Sequence, residues 1–80
     1  MYFVIKDNDN CKWAYGETET TNKTINFKSI CDYLMSSLHP EIFTIVFFDM
    51  VGTKEGIKPE IREEVKLIDY MNRKREEVRA

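Results

Sequence analysis

Ionisable side chains that could take part in catalysis or metal binding are few and scattered in this sequence. Glu64 offers a carboxylate that could bind Mg²⁺ or Mn²⁺, although a glutamate among other charged residues more often faces water. His39 could act as a base or ligand, but it lies before Pro40, so a position at a helix end is the simpler interpretation. Asp49 interrupts an apolar run, and it is either a buried carboxylate that needs a partner or, as we favour, the exposed end of a strand.

Aromatic and basic side chains are the second set of candidates, and they indicate binding. Tyr2, Trp13 and Tyr15 could stack on nucleic-acid bases, although aromatic residues in strands more often pack in the core or across strands. A cationic cluster that could contact phosphate or a protein, or simply be a solvated helix end, follows near the end of the chain: Arg73, Lys74 and Arg75.

The composition describes a small acidic domain. The chain has 80 residues, 42% of them hydrophobic and 12% aromatic, which suffices for a packed core. Its formal net charge is −2 and its pI is about 5.4, whereas dedicated nucleic-acid-binding domains usually carry a basic surplus. No apolar run is long enough to span a bilayer and no signal-peptide pattern is present, so we expect no membrane partner and a cytosolic location. In that compartment Cys11 and Cys31 are expected to be free thiols.

A β-hairpin is predicted at the start of the chain. Residues 2–5 and 12–16 are rich in aromatic and β-branched side chains, and they flank an Asp-Asn-Asp-Asn turn at residues 7–10. Aspartate and asparagine bond to their own backbone and tolerate left-handed conformations, so they turn the chain. The rest of the sequence is expected to cover this hairpin.

A helix and a strand are predicted to follow the hairpin. Apolar residues from Phe27 to Leu38 recur at helical spacing, and Asn26 or Thr24 could cap the helix. Residues 42–51 are almost continuously apolar, which is typical of a strand at the centre of a sheet that is covered on both faces.

The last predicted element is a helix that begins near Pro59. Its predicted buried stripe consists of Ile61, Val65, Ile68 and Met71. The predicted fold class is therefore α+β, a single domain over residues 1–80. It has a small three-stranded antiparallel sheet, in the order β-β-α-β-α, with helices packed on it.

With these elements in place, the sequence resembles the GIY-YIG nuclease domain. That family begins with a hairpin of the pattern G-I-Y-x-I-K-N, a short turn, and K-x-Y-I-G-x-T. Residues that match its hydrophobic, basic, glycine and small positions are Ile5, Lys6, Lys12, Gly16 and Thr18. Residues 43–51, 53–55 and 64–68 resemble the family's later strand, turn and helix. The resemblance implies that Glu64 corresponds to the family's metal-binding glutamate.

The departures from the family pattern fall on its catalytic residues. The two motif tyrosines, whose hydroxyls assist activation of water in the family, correspond to Phe3 and Ala14, which carry no hydroxyl. Tyr2 and Tyr15 lie one position away, and alternation along a strand places them on the opposite face of the sheet. The family's helix arginine is also absent.

The leading hypothesis is therefore a non-catalytic small binding protein on a degenerate GIY-YIG-like scaffold. We expect it to act through protein–protein contacts without a cofactor, because so small a domain leaves some large aromatic residues exposed. A protein partner is expected, and a homodimer is a further expectation. The family's habitat favours a phage or mobile-element inhibitor or regulator of a nucleic-acid enzyme, located in the cytoplasm of a bacterium or phage-infected host cell.

Two alternatives stay open. The first is a minimal divergent metal-dependent endonuclease, in which Tyr2 or Tyr15 activates water, Lys28 or Lys23 balances charge, and Glu64 holds Mg²⁺ or Mn²⁺. The second is a nucleic-acid-binding module that uses the aromatic and basic candidates together: Trp13, Tyr15, Arg73, Lys74 and Arg75.

Overall fold

The computed structural model describes residues 1–19 and 26–79. The elements are β1 (Tyr2–Lys6), β2 (Lys12–Glu17), α1 (Phe27–Met35), a short 3-10 turn (Pro40–Ile42), β3 (Thr44–Thr53), β4 (Gly56–Lys66) and α2 (Leu67–Arg79). The strands form one antiparallel sheet in the order β2-β1-β3-β4. The predicted α+β class with an antiparallel sheet is thus confirmed, but the sheet has four strands where three were predicted.

The turn between β1 and β2 is organised by Asp7. Its Oδ1 accepts hydrogen bonds from the backbone N–H groups of Asp9 (2.8 Å) and Cys11 (3.0 Å), and its Oδ2 accepts from Nε1 of Trp13 (2.8 Å). Asn10 adopts a left-handed conformation with φ 63°, which asparagine tolerates better than most residues. The predicted hairpin is therefore confirmed, and its turn depends on one carboxylate.

Asp7 is expected to make the fold sensitive to acid. The hydrogen bond from Trp13, followed by those from the backbone of Cys11 and Asp9, holds the pKa of Asp7 below its usual value. Ionised Asp7 therefore stabilises the fold above the unfolded-state pKa of about 3.9, and this stabilisation is lost as the pH falls through the lower folded-state value. We expect Asp7→Asn to lower the free energy of unfolding at pH 7, and to shrink the difference between pH 7 and pH 3.

Urea unfolding at both pH values, followed by the fluorescence of the single tryptophan, measures this difference. Asp9→Asn is the matched control, because Asp9 contributes only its backbone N–H to the same turn. An unchanged pH dependence in Asp7→Asn would contradict the assignment.

The prediction that a helix begins near Pro59 is wrong. Residues Gly56–Lys66 form β4, which pairs with β3 along its whole length, and α2 begins only at Leu67. Apolar and charged residues alternate from Ile57 to Ile61, which is strand periodicity, and proline is tolerated there because β4 is an edge strand.

A bulge in β4 explains why the apolar residues Ile61 and Val65 are spaced as they would be on one face of a helix. The register shifts opposite Phe47 and Phe48, where Arg62 is the extra residue. After the shift, Val65 faces the core while Ile61 faces the other side of the sheet, although the two are four residues apart. A four-residue interval that would normally indicate one helix face therefore arises here from two faces of a strand.

The core lies on one face of the sheet, beneath both helices. Its buried members are Phe3, Ile5, Phe27, Cys31, Leu34, Phe43, Ile45, Phe47 and Leu67. Asn26 caps α1, as predicted, by accepting a hydrogen bond from the backbone N–H of Ser29 (2.8 Å), while Thr24 lies outside the described residues. The helix ends at Met35, before the predicted Leu38.

Strand β3 is an inner strand, as predicted, but the described helices cover only one of its faces. Ile45 and Phe47 point toward the helices and the core. Val46, Phe48 and Met50 alternate with them and therefore point to the opposite side. We call this opposite side the open face.

Candidate functional site

The open face is built from residues that the strand register aligns in rows. Residues paired on neighbouring antiparallel strands point to the same side of a sheet. Tyr15, Val4, Val46 and Glu64 are successive partners across the four strands, and so are Glu17, Tyr2, Phe48 and Ile61. Met50 and Pro59 form the next row. The apolar members of this face are Tyr2, Val4, Tyr15, Val46, Phe48, Met50, Ile57, Pro59 and Ile61.

Several of these apolar side chains are largely exposed. The exposed fraction is 80% for Tyr15, 72% for Ile57 and 64% for Ile61. The rings of Tyr2 and Phe48 stack on each other with centroids 5.7 Å apart. An antiparallel sheet with helices on one side usually presents polar residues on the other, and contiguous exposed apolar patches mark interaction sites. The open face is therefore the strongest candidate for a functional surface.

Lysines lie at one end of the open face. Lys6 pairs with Lys12 on β2 and with Thr44 on β3, and Thr44 in turn pairs with Lys66 on β4. Lys6 Nζ also lies 3.7 Å from Oε1 of Glu64. The surface thus has an apolar centre and a basic end, with one carboxylate near the lysines.

The predicted catalytic residues are divided between the two faces. Tyr2, Tyr15 and Glu64 share the open face, but Lys28 lies on α1, on the opposite side of the sheet. Tyr15 and Glu64 lie at opposite ends of one row. Their backbones are about 14 Å apart, because they are three strands apart and neighbouring strands are separated by roughly 4.8 Å. Lys23 lies outside the described residues. Among the described residues, the structure therefore does not bring the predicted set of Tyr2 or Tyr15, Lys28 and Glu64 together.

The surroundings of Glu64 are a poor match to a divalent-metal site. Mg²⁺ and Mn²⁺ prefer several oxygen ligands, whereas the neighbouring charged group at Glu64 is the ammonium of Lys6. Among the side chains that the structure describes, those of residues 1–19 and 26–75, no group of three or more His, Cys, Asp or Glu is placed to hold a metal ion. The carboxylate is better described as one partner of a surface ion pair.

The predicted nucleic-acid-binding residues are also divided. Trp13 donates its indole N–H to Asp7 and packs edge-on against Phe43, with ring centroids 5.4 Å apart. Tyr15 projects from the open face instead. The basic cluster lies on α2, on the helix side of the sheet: Arg73, Lys74 and Arg75. The aromatic and cationic candidates therefore do not form one surface.

A cleft between the sheet and α2 is a feature that the sequence did not reveal. Arg73 binds Oε1 of Glu63 (2.7 Å) and lies over the ring of Tyr70, as does Lys74. Arg62 donates from Nε to Oδ2 of Asp49 (3.0 Å) in the same region. The two arginines that line this cleft, Arg62 and Arg73, are thus each paired with a carboxylate. Asp49 lies in the middle of β3, which continues to Thr53. The prediction that Asp49 marks the exposed end of a strand is therefore wrong.

Comparisons with protein-family models, with curated proteins and with solved structures found no match to this chain. Among the described residues, neither helix combines the length and the apolar character needed to cross a membrane.

Proposed function

We propose that this chain is a non-catalytic binding protein that acts through protein–protein contacts made by the open face. The observation that carries this proposal is the placement of both helices on one side of the sheet, while the other side carries exposed apolar side chains on all four strands. Burial of such a surface is favourable by about 25 cal/mol per Å², so a partner that covers it gains affinity.

The separation of the candidate catalytic groups supports a non-catalytic role. General acid–base catalysis requires groups within hydrogen-bond reach of a common substrate. Tyr15 and Glu64 are separated by the width of the sheet, and Lys28 lies behind it. Phe3, which corresponds to a motif tyrosine in the resemblance, is buried in the core. An endonuclease mechanism would need these groups rearranged.

The aliphatic character of the open face favours a protein over a nucleic acid. Bases stack on aromatic rings, and three of these lie on the open face: Tyr2, Tyr15 and Phe48. The exposed aliphatic side chains of Met50, Ile57 and Ile61 extend the face beyond those rings and offer no stacking surface. The lysines lie at one end and the chain as a whole is acidic, so cations do not follow a path along which a phosphate backbone could lie.

The proposal retains the GIY-YIG-like scaffold and a regulatory role toward a nucleic-acid enzyme of a phage or mobile element. The matches at Ile5, Lys6 and Gly16 support the scaffold, and β4 departs from it because it replaces the helix expected at Glu64. A cytosolic location belongs to the same proposal, and the free thiols of Cys11 and Cys31 fit a reducing compartment.

A cleavage and binding assay on nucleic acids tests the proposed function. Wild type and Glu64→Ala are incubated with labelled single- and double-stranded DNA and RNA at low salt, with Mg²⁺ or Mn²⁺. We expect no cleavage and no saturable binding by either protein. Metal-dependent cleavage that Glu64→Ala abolishes would overturn the proposal in favour of an endonuclease.

Saturable binding that weakens steeply with added salt would overturn it in favour of a nucleic-acid-binding module. In that case Tyr15→Ala would separate binding by the open face from binding by α2, because Tyr15 lies far from the basic cluster.

A further inference from the structure

We propose that the occupant of the open face is a second copy of this chain, so that the protein is a homodimer whose two open faces pack against each other. This inference rests on the proposed function, because it assigns a partner to the same surface. Three features carry it: an arm that leaves the body of the domain, a surplus of exposed surface, and an outer edge that opposes strand pairing.

The arm is the part of β3 and β4 that extends beyond β1. Strand β1 pairs with β3 only as far as Phe48, whereas β3 and β4 continue to pair as far as Thr53 and Gly56. All residues from 52 to 60 are exposed. A two-stranded ribbon alone in water is marginally stable, and it usually needs a third strand or a packed face. The arm carries Met50 and Ile57 on its open face, so a partner that covers this face would stabilise it.

The exposed area of the chain exceeds that of a compact monomer. Its accessible surface is 6186 Å², whereas a folded monomer of 9.5 kDa is expected to expose about 5,000 Å². Its radius of gyration is 13.6 Å, against about 11.6 Å for a compact domain of this length. The surplus over the whole chain is roughly 1,100 Å², and the exposed arm and the exposed Tyr15 and Ile61 contribute to it. An interface of ordinary size, in which each partner buries ~800 Å², is therefore within the area that this chain exposes in excess.

The outer edge of β4 is unsuited to pairing with another strand. Pro59 has no N–H to donate, and most of the residues from 58 to 66 are charged. The bulge at Arg62 also interrupts the regular spacing of backbone groups. Proline, charges and bulges are the features that protect edge strands from association. A partner that covers the β3–β4 part of the sheet is therefore expected on its face and not along the β4 edge.

A two-fold axis that lies between the two sheets, parallel to them and perpendicular to the strands, and passes between Phe48 and Met50 brings both halves of the surface into contact. It places the arm of each copy over the body of the other, so that Met50 and Ile57 of one copy cover the rows of Val46 and Phe48 of the other. The strands of the two sheets then run within about 30° of each other, roughly 10 Å apart, as in a β-sandwich. The body of one copy then covers the open face of the other copy's arm, which no described residue of the arm's own chain covers.

Sedimentation equilibrium between 1 and about 200 µM tests the dimer. We expect the wild type to reach twice its monomer mass of 9.5 kDa within this range. Ile61→Lys and Met50→Lys are each expected to raise the dimer dissociation constant by about 30-fold or more, because each places a charge at the centre of an apolar interface. Circular dichroism verifies that both variants remain folded.

Leu38→Lys is the matched control. Leu38 is 95% exposed and lies beyond α1, away from the open face, so its replacement is expected to change the dissociation constant less than twofold. A wild type that stays monomeric would overturn the inference, and so would a dimer that Ile61→Lys and Met50→Lys leave intact.

Sedimentation tests the dimer and the nucleic-acid assay tests the proposed function, so the two proposals can fail separately. A monomer that neither cleaves nor binds nucleic acid retains a protein-binding open face with a different occupant. A monomer whose open face binds nucleic acid loses both proposals.

Discussion

Phe3→Ala is expected to lower the free energy of unfolding by about 3–5 kcal/mol, the usual cost of removing a buried aromatic ring. The side chain is only 2% exposed, and its ring lies 4.6 Å from that of Phe27. It joins β1 to α1, so its loss leaves a cavity between the sheet and the helix. The total stability of an 80-residue domain is about 4–12 kcal/mol, so this one substitution removes a large part of it.

Tyr2→Ala is the matched comparison, because Tyr2 is the preceding residue and points to the opposite face. It stacks on Phe48 at the surface, so its removal is expected to cost about 1 kcal/mol in the monomer. Urea unfolding of both variants, at protein concentrations below the dimer dissociation constant, measures the two values. Equal losses would contradict the placement of the core on one face of β1.

The hairpin could be predicted because its signals are local. The Asp7 turn needs only residues 7–13, and side chains alternate regularly along β1 and, beyond a register shift at Trp13, from Ala14 to Glu17 of β2. The same alternation correctly placed Tyr2 and Tyr15 on the face opposite to Phe3 and Ala14. Local hydrogen bonding and strand periodicity are properties of a few consecutive residues, so tertiary structure did not alter them.

Strand β4 could not be predicted in the same way, because its conformation depends on β3. The interval between Ile61 and Val65 suits a helix, and only pairing with β3 through a bulge shows that they face opposite sides. Pro59 was equally consistent with the first turn of a helix and with an edge strand. The sequence contains both signals, and the hairpin partner selects between them.

The open face could not be predicted from the sequence, because the residues of β3 are apolar on both of its sides. Its apolar run predicted cover on both faces, and the described helices supply cover on one. An apolar residue indicates that a surface is buried, but it does not indicate whether the same chain or another buries it. The apolar residues of the open face could be identified only after the strand register was known, because all four strands contribute to it and β1 pairs with β3, which is far from it in the sequence.

The two cysteines offer an independent measurement of which face of the sheet is covered. Cys31 lies on α1 against the core, whereas Cys11 is exposed in the first hairpin. Burial, with a smaller contribution from Asp32, raises the pKa of the Cys31 thiol from its usual value of 9.0 to about 12. The thiolate is the reactive form, and a rise of this size lowers its population about 1,000-fold.

Alkylation by iodoacetamide at pH 8 is therefore expected to modify Cys31 at least about 1,000-fold more slowly than an unperturbed thiol. Mass spectrometry over time should show one adduct, at Cys11, in the native protein and two adducts in urea. Cys11→Ser should show none on the native time scale. Two adducts at similar native rates would mean that α1 does not seal this side of the sheet. Protection of Cys31 would instead establish that α1 packs against the core on the Phe3 side of the sheet.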